Sequence, residues 1–170
     1  MLVAFTEMQL NPYQPLVTSD LDGLEGACAS ELYTYWLDKK AGAPMPDWSS
    51  FEFMDLYRIA HSMLVLDVVD RNDSGKLRYR FMGTTIVEYR RLRKIPDLTG
   101  KTFADGDRAY DPTAMAEAYQ ACVTTAQPVM MSGEYQTENS HGQHTRLILP
   151  WAIDGQVERL TCTLDRFPAE

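Results

Sequence analysis

The sequence has few cysteines, and their spacing argues against the structures that cysteines usually build. The 170 residues contain three of them, Cys28, Cys122 and Cys162, and no C-x-x-C pair occurs. A disulfide framework in a short secreted chain normally uses an even number of cysteines. We therefore expect no disulfide-stapled fold, and the length is that of one domain whose core is stable alone.

Long apolar runs are absent as well. The strongest one, MLVLDVV at 63–69, is interrupted by Asp67 and is much shorter than the roughly 20 apolar residues of a membrane helix. The N-terminus MLVAFTEMQLNPYQP has neither the basic region nor the apolar region of a signal peptide. These absences predict a cytoplasmic protein that does not insert into membranes.

Positive charge is scarce. Sixteen Lys and Arg residues against 24 Asp and Glu residues give a net charge of −8 and a pI near 4.8. This balance disfavours binding to nucleic acids and anionic membranes, which attract basic proteins. One basic cluster, Arg90, Arg91, Arg93 and Lys94, opposes the trend, and on a helix such a cluster is usually a solvated face. We expect no nucleic-acid partner.

Catalytic motifs are missing. Neither G-x-S-x-G nor H-E-x-x-H occurs. Gly100-Lys101-Thr102 matches the end of a phosphate-binding loop, but that loop requires a glycine where Ile95 stands. Its context also differs, because FADGDRAYDP follows instead of a helix. The sequence predicts neither nucleotide hydrolysis nor another enzymatic activity.

Metal-ligating residues occur, but not in convergent sets. His141 and His144 lie near Glu138, whereas a zinc site needs three or four ligands and no cysteine or further histidine is close in sequence. The acidic stretch DGDRAYD at 105–111 lacks the glutamate that closes a calcium-binding loop. We predict no metal site and interpret the two stretches as a polar turn and as Asx turns with a helix cap.

The N-terminal part combines a leader with an amphipathic helix. Residues 1–18 contain two prolines and no clear period, which predicts an extended leader. Over 19–42, apolar residues recur at three- and four-residue steps, which predicts a helix with Ser19 or Asp20 as N-cap. Its apolar stripe consists of Leu21, Leu24, Cys28, Leu32 and Tyr35.

The remaining residues, 43–170, begin their regular structure with a hairpin. The turn RNDSG separates an apolar run at 63–70 from the alternating run KLRYRFMG. By this alternation, one face carries Leu77, Tyr79 and Phe81, and the other carries Arg78 and Arg80.

Two or three helices and three strands are predicted after the hairpin. TTIVEYRRLRKI at 84–95 forms the first helix, which Pro96 ends, and the second helix runs from Asp111, its N-cap, to Pro128. Segregated helices and strands predict an α+β fold with an antiparallel sheet. The three strands, with NSHGQ and DGQ as the turns between them, are expected at about 128–138, 144–153 and 157–167.

Six short sequence segments follow one another over roughly residues 30–165: YTYWLDKKAGAPMPDW, LVLDVVD, LRYRFMGTTIVE, DLTGKTF, QPVMMSGEY and LILPWAIDGQVERL. In this order they resemble a PAS domain, and more narrowly the bacterial, alphaproteobacterial-type family of small single-domain PAS proteins. The resemblance implies a five-stranded antiparallel sheet with helices on one face, an N-terminal amphipathic helix and a small internal cavity. It also implies sensing and protein interaction instead of catalytic turnover.

The resemblance limits the cofactor. Flavin photosensors of this fold need a cysteine on the helices after the hairpin, and residues 84–105 contain none. Haem sensors of this fold usually take a histidine from the long helix before the third strand, and residues 111–127 contain none. We therefore disfavour covalent flavin photochemistry and helix-histidine haem ligation, and the cofactor stays unassigned.

Apolar residues expected to point inward are the candidates for lining a cavity. They either form the walls of a small-molecule pocket or pack as an ordinary core, and the sequence leaves both readings open. The pocket candidates are Tyr79, Phe81, Ile86, Tyr89, Phe103, Tyr119, Leu147, Leu149 and Trp151. A further four residues are interpreted as structural markers of the fold, with Arg80 expected to bond a carbonyl or a carboxylate. These markers are Arg80, Gly83, Thr99 and Gly100.

The stripe of the N-terminal helix must be buried against its own sheet or against a second copy. In the fold it resembles, helices before the domain commonly mediate dimerisation. We therefore predict a homodimer through residues 19–40 and the outer sheet face, where Val65, Met130, Ile148 and Thr161 are expected. Two functions follow as hypotheses: a small-molecule sensor that signals through an unidentified protein, or a ligand-free dimerisation or scaffold domain.

Overall fold

The computed structural model describes residues 14–17, 21, 24–92, 94–105, 112–136 and 139–170. Its α-helices are α1 (Ala27–Lys40), α2 (Thr84–Arg91) and α3 (Pro112–Thr125). Its strands are β1 (Gln14–Val17), β2 (Met63–Asp67), β3 (Arg78–Met82), β4 (Val129–Gln136), β5 (His141–Ile153) and β6 (Gln156–Pro168). Short 3-10 turns lie at Trp48–Ser50, Phe53–Leu56, Ala60–Ser62, Ser74–Lys76 and Phe103–Asp105.

The strands form one sheet in the order β1-β4-β5-β6-β2-β3, and every neighbouring pair is antiparallel. The five predicted strands, β2 to β6, are present, which confirms the α+β class and the antiparallel sheet. β1 comes from the predicted leader and adds a sixth strand, with Gln14 opposite Ser132 and Val17 opposite Val129. Residues 1–13 and 18 of the leader lie outside the described residues.

Both faces of the sheet are covered. α2 and α3 pack on one side, the inner face, against strand residues that include Leu64 and Ile148. α1 and the 3-10 turns of residues 48–62 pack on the other side, the outer face, against residues that include Met63 and Leu149. Side chains of a strand alternate between the two sides, so each strand contributes to both cores.

A β-bulge changes the faces predicted for β3. Leu66 lies opposite Tyr79 and Val65 opposite Phe81, so Arg80 is the extra residue between these two pairs. Tyr79 belongs to the inner core, whereas Phe81 packs against the outer one. The prediction that Tyr79 and Phe81 share a face was wrong, because strict alternation does not allow for an inserted residue.

The N-terminal helix is shorter than predicted. It begins at Ala27, not at residue 19, and ends at Lys40. Leu21 and Leu24 precede it in a turn, in which the Leu24 N–H donates to the Leu21 carbonyl at 2.9 Å. The predicted caps, Ser19 and Asp20, lie outside the described residues.

The start of α1 is set by a carboxylate from the other end of the chain. The N–H groups of Cys28 and Ala29 donate to the two oxygens of Asp165 in β6, at 3.0 and 2.9 Å. Gly26 has a φ of 110°, and a Cβ at this position would lie 2.5 Å from the Asp165 carboxyl group. Only glycine fits here, so the chain enters the helix directly beneath its capping residue.

α2 ends at Arg91, earlier than predicted. Lys94 has a φ of 59°, and its N–H donates to the Arg91 carbonyl at 2.9 Å. The Ile95 N–H donates to the Arg90 carbonyl at 3.0 Å. This pair of bonds is a Schellman motif, which terminates a helix through a left-handed residue. Pro96 therefore follows the helix end and does not cause it.

The stretch IPDLTGKTF runs along the edge of β3. The Tyr79 N–H donates to the Lys101 carbonyl at 2.9 Å, and the Gly100 N–H donates to the Tyr79 carbonyl at 2.7 Å. The Phe103 N–H continues this pattern with a bond of 2.8 Å to the Leu77 carbonyl. The stretch thus forms hydrogen bonds along the edge of the sheet, and its last residue, Phe103, packs in the inner core.

Candidate ligand-binding face

The structure divides the nine pocket candidates between the two faces of the sheet. On the inner side lie Tyr79, Ile86, Tyr89, Phe103 and Tyr119. On the outer side lie Phe81, Leu147, Leu149 and Trp151. The prediction that all nine point toward one cavity was therefore wrong.

Strand register explains the outer placement of the β5 residues. Leu147, Leu149 and Trp151 share one face by alternation, and they pack against α1. Ile148, between them, faces the inner core, so its predicted outer position was wrong. The other three residues expected on the outer face do lie there, on the same side of the sheet as Leu149, as the strand register and the core contacts show. They are Val65, Met130 and Thr161.

The five inner candidates come from four separate elements and form one packed wall. Tyr79 and Tyr119 are fully buried, and Ile86 is nearly so. The rings of Phe103 and Tyr119 meet edge to face, with centres 5.8 Å apart and planes at 82°. This wall covers the inner face between β3, α2 and α3.

Sequence reasoning missed four basic residues on the same face: Arg90, His144, Arg146 and Arg166. Arg90 is 5% exposed, Arg146 3% and His144 1%. The sequence places Arg90 in a solvated basic cluster, and of the described members of that cluster Arg91 and Lys94 are exposed whereas Arg90 is buried. The spacing of His144, Arg146 and Ile148 was the available signal, because alternate residues of a strand share a face.

Tyrosine rings hold two of these arginines. The Arg166 guanidinium lies 3.4 Å from the ring centre of Tyr89 in α2 and 4.4 Å from that of Tyr135 in β4. The Arg90 guanidinium lies 5.4 Å from the ring centre of Tyr79. These cation–π contacts connect α2 to the sheet and orient both side chains.

The charges shift the pKa values of their neighbours. Burial, and next the repulsion of the imidazolium by Arg146 and Arg166, lower the pKa of His144 to about 3. Burial raises the pKa of Cys162 to about 11, against the opposing effect of Arg146 and Arg90. At neutral pH the region therefore holds a neutral imidazole, a neutral thiol and charged guanidinium groups.

Acid is expected to destabilise the protein through His144. The folded pKa lies below the ordinary value of 6.5, so between 6.5 and about 3 only the unfolded imidazole binds a proton. The stabilisation is complete above 6.5 and is lost as the pH falls, by up to about 1.4 kcal/mol per pH unit. Urea unfolding across this window should show a shallower pH slope for His144→Leu than for the wild type. His141→Leu, at an exposed position of the same strand, serves as control, and equal slopes in all three proteins would contradict the assignment.

The predicted dimer stripe packs largely against its own chain. Leu21 and Leu32 belong to the outer core with Leu147, and Leu24, Cys28 and Tyr35 pack against that core while partly exposed. The stripe is thus covered by its own sheet, which is one of the two alternatives posed by the sequence. Dimerisation itself stays a prediction.

A groove of about 540 Å³ opens on the surface beside α1. It carries negative charge from three acidic side chains, one of which, Asp55, forms an ion pair with Lys39 at 3.7 Å. Next to Asp55 and Leu56 in sequence, Met54 and Tyr57 are 77% and 64% exposed, so apolar surface adjoins the groove. The residues that line it are Ser30, Glu31, Thr34, Tyr35, Asp38, Asp55 and Leu56.

The four fold markers have structural contacts. Arg80 donates from Nε to Asp67 at 2.7 Å, which is the expected carboxylate bond, although the partner belongs to the neighbouring strand. A Cβ at Gly83 would lie 2.3 Å from the His61 carbonyl, so the step from β3 into α2 needs glycine. Thr99 donates its N–H and hydroxyl to Asp97, at 2.9 and 2.7 Å, just before the left-handed Gly100.

The described residues offer no metal-binding group of three or more histidine, cysteine or acidic side chains. His141 and His144 both lie in β5, not in a turn, and an odd separation in a strand puts them on opposite faces. Glu138, Asp107 and Asp111 lie outside the described residues. Among the described helices, none is long and apolar enough to cross a membrane.

Comparisons with known proteins place the chain in a family. The PAS domain family matches residues 25–164. No curated protein matches the chain. Of the two solved chains that match, one is described as the structure of an RNA-binding light-oxygen-voltage receptor. It is 13% identical with a TM-score of 0.49, and the match covers 91% of this chain but 38% of the receptor chain. Because the family match spans well over half of its length, this chain belongs to the PAS domain family.

Proposed function

We propose that this PAS domain binds a small molecule in its inner core and signals through protein–protein interaction. PAS domains are sensory and signalling modules, which supports the general role. The observation that carries the ligand site is the burial of Arg90, His144 and Arg146 among apolar residues of the inner core. Burying charged groups is costly, and a core that serves stability alone is more easily built from apolar residues.

The finer assignments follow from the sequence. We propose that the chain is a cytoplasmic, non-enzymatic member of the bacterial family of small single-domain PAS proteins named above. Its net charge of −8 supports the absence of a nucleic-acid or membrane partner. The signalling partner is a protein, for which the acidic groove beside α1 offers a surface.

Native mass spectrometry, combined with a visible absorption spectrum, tests the ligand site. The purified protein is expected to carry a bound small molecule, or to bind one from a metabolite mixture, with no flavin or haem absorption. A protein that has the mass of the bare chain and binds nothing from such a mixture would instead support the alternative function.

That alternative is a ligand-free dimerisation or scaffold domain. It is favoured by the exposed apolar side chains beside the groove, because large apolar groups on a surface often mark a protein interface. The two functions share the fold and the surface, and they differ in whether the inner core takes up a ligand.

We also propose a homodimer, formed through the exposed side of α1 and the neighbouring 3-10 turn. Leu37, Met54 and Tyr57 supply its apolar surface, at 40%, 77% and 64% exposure. Sedimentation at micromolar concentration is expected to give a dimer for the wild type and a monomer for the double variant Met54→Asp, Tyr57→Asp. Val69→Asp, at another apolar position with 52% exposure, should stay dimeric. A monomeric wild type would refute the dimer.

A further inference from the structure

We propose that the groove beside α1 binds a basic segment of a partner protein, in which lysine or arginine residues stand next to large apolar residues. The inference rests on the proposed signalling function and adds the chemistry of the protein partner. The groove lies between α1 and the 3-10 turn Phe53–Leu56, and both elements line it.

The two walls of the groove are fixed to each other. The Tyr35 hydroxyl, on α1, accepts the Glu52 N–H at 2.8 Å, and the Tyr35 and Phe51 rings meet edge to face with centres 6.0 Å apart. Leu56, on the other wall, is buried in the outer core. A surface whose shape is already formed loses less conformational entropy when a partner docks.

Three carboxylates line the groove. Glu31 and Asp38 both belong to α1 and are separated by about two helical turns, or roughly 10 Å along the axis. Asp55 comes from the opposite wall. Neither Glu31 nor Asp38 forms an ion pair with another described residue. The groove therefore presents negative charge from both walls, which cationic side chains of a partner neutralise.

The chain's own cations near the walls leave this charge largely uncompensated. Lys39 pairs with Asp55 while the two side chains are 27% and 51% exposed, and a surface pair of this kind contributes little. Lys40 lies over a ring of α1 itself. Arg58 donates from Nε to the Tyr57 hydroxyl at 3.2 Å.

Apolar surface next to the carboxylates adds a second requirement for the partner. Met54 and Tyr57 are strongly exposed and flank Asp55 and Leu56 in sequence. Lysine and arginine lay their aliphatic stems on such surface while the charged ends reach a carboxylate. A neighbouring large apolar residue of the partner then packs on Met54, whose flexible side chain adapts to different shapes.

The charge of the groove decides between the possible occupants. Nucleic acids, anionic membranes and acidic segments are repelled by the carboxylates. A second copy of the chain brings the same three carboxylates to this surface, and like charges placed together are unfavourable. A basic segment is the occupant that is complementary to both the charge and the apolar surface.

Fluorescence anisotropy of labelled peptides with the full chain tests the inference. The first probe is a short peptide of lysine and leucine, the second has glutamate in place of every lysine, and the third has serine in place of every leucine. The lysine–leucine peptide is expected to bind, and less tightly as salt is added, because salt screens exposed charges. The glutamate peptide should not bind, and the serine peptide should bind more weakly than the first. Equal or tighter binding of either control peptide would overturn the inference.

Neutral variants of the groove locate the site. The triple variant Glu31→Gln, Asp38→Asn, Asp55→Asn should weaken the binding of the lysine–leucine peptide by about tenfold, because three surface charge pairs are lost. Asp38→Asn alone changes one exposed side chain and should weaken binding by about twofold, which keeps the test open if the triple variant does not fold.

A second triple variant with the same net charge serves as control. Asp73→Asn, Glu88→Gln, Glu117→Gln neutralises three exposed carboxylates on α2, on α3 and in the turn that contacts α3. This protein should bind the peptide as the wild type does. Equal weakening by the two triple variants would show attraction by net charge alone and would overturn the assignment.

Other outcomes separate this inference from the proposed function. A dimer in sedimentation that binds none of the peptides would identify a second copy as the occupant, which overturns the inference. A small molecule retained in native mass spectrometry by a protein that binds no peptide would also overturn the inference but leave the sensory function intact. Peptide binding by a protein that retains no small molecule would support the inference together with the ligand-free alternative.

Discussion

Replacing Trp151 with alanine is expected to lower the free energy of unfolding by about 3–5 kcal/mol, the usual cost of truncating a large buried aromatic residue. Trp151 is fully buried, and its ring centre lies 6.1, 5.7 and 5.2 Å from those of Tyr35, Trp48 and Phe51. Its indole N–H donates to the Thr161 hydroxyl at 2.9 Å. Alanine leaves a cavity where α1, the 3-10 turns and the sheet meet. Urea unfolding followed by far-UV circular dichroism measures the loss.

Two further variants show whether this packing is the cause. Trp151→Phe retains most of the ring volume but not the hydrogen bond, so a smaller loss is expected than with alanine. Val69→Ala truncates an exposed apolar residue outside the proposed dimer interface and should change the stability little. If Trp151→Ala were no more destabilising than Val69→Ala, Trp151 would not be central to the outer core.

Replacing Asp165 with alanine is expected to lower the free energy of unfolding by about 2–3 kcal/mol, because two N–H groups at the start of α1, one part-buried and one buried, lose their carboxylate acceptor. The two bonds, of 3.0 and 2.9 Å, reach Cys28 and Ala29 from the last strand of the sheet. The carboxylate also faces the positive end of the helix dipole. The variant should therefore loosen α1 from the outer face as well as lower the overall stability.

The thiol of Cys28 reports the loss of the Asp165 carboxylate. Burial and, next, the charge of Asp165 raise the pKa of Cys28 to about 11. In Asp165→Ala the pKa should fall toward the ordinary 9.0, and the thiol should react faster with a disulfide reagent at a given alkaline pH. Asp38→Ala removes an exposed charge from the same helix and should leave the rate unchanged. An unaltered rate in Asp165→Ala would contradict the effect of the Asp165 carboxylate on the Cys28 thiol.

Five of the six strands were accessible from the sequence, because alternation and turn residues are local properties, whereas β1 lies in the stretch predicted as a leader. The bulge at Arg80 was not accessible, since a single inserted residue leaves the alternating pattern of KLRYRFMG intact while changing which side Phe81 faces. The residue at which α1 begins could not be predicted from the sequence either. Its capping carboxylate lies 137 positions from Cys28, and no local pattern specifies such a partner.

The candidate site was predicted in part. Tyr79, Ile86, Tyr89, Phe103 and Tyr119 do meet on the inner face, since inward aromatic residues follow from the strand and helix periods. The basic residues beside them were missed because charge is normally assigned to solvent. Alternation with Leu147 and Ile148 puts the Arg146 side chain on the inner face of the sheet. Only the pairing of β5 with β6 shows that Arg166 lies on the same face, close to Arg146.

On β6, Asp165 and Arg166 are consecutive residues that serve opposite sides of the sheet. One holds the first turn of α1, and the other is held between two tyrosines beneath α2. A single peptide bond thus separates the helix anchor on one side from the cation–π stack on the other. If β6 rotates about its own axis at this point, the two side chains move in opposite directions. A displacement of α1 on one face of the sheet is therefore coupled to a displacement of the tyrosine-bound arginine on the other face.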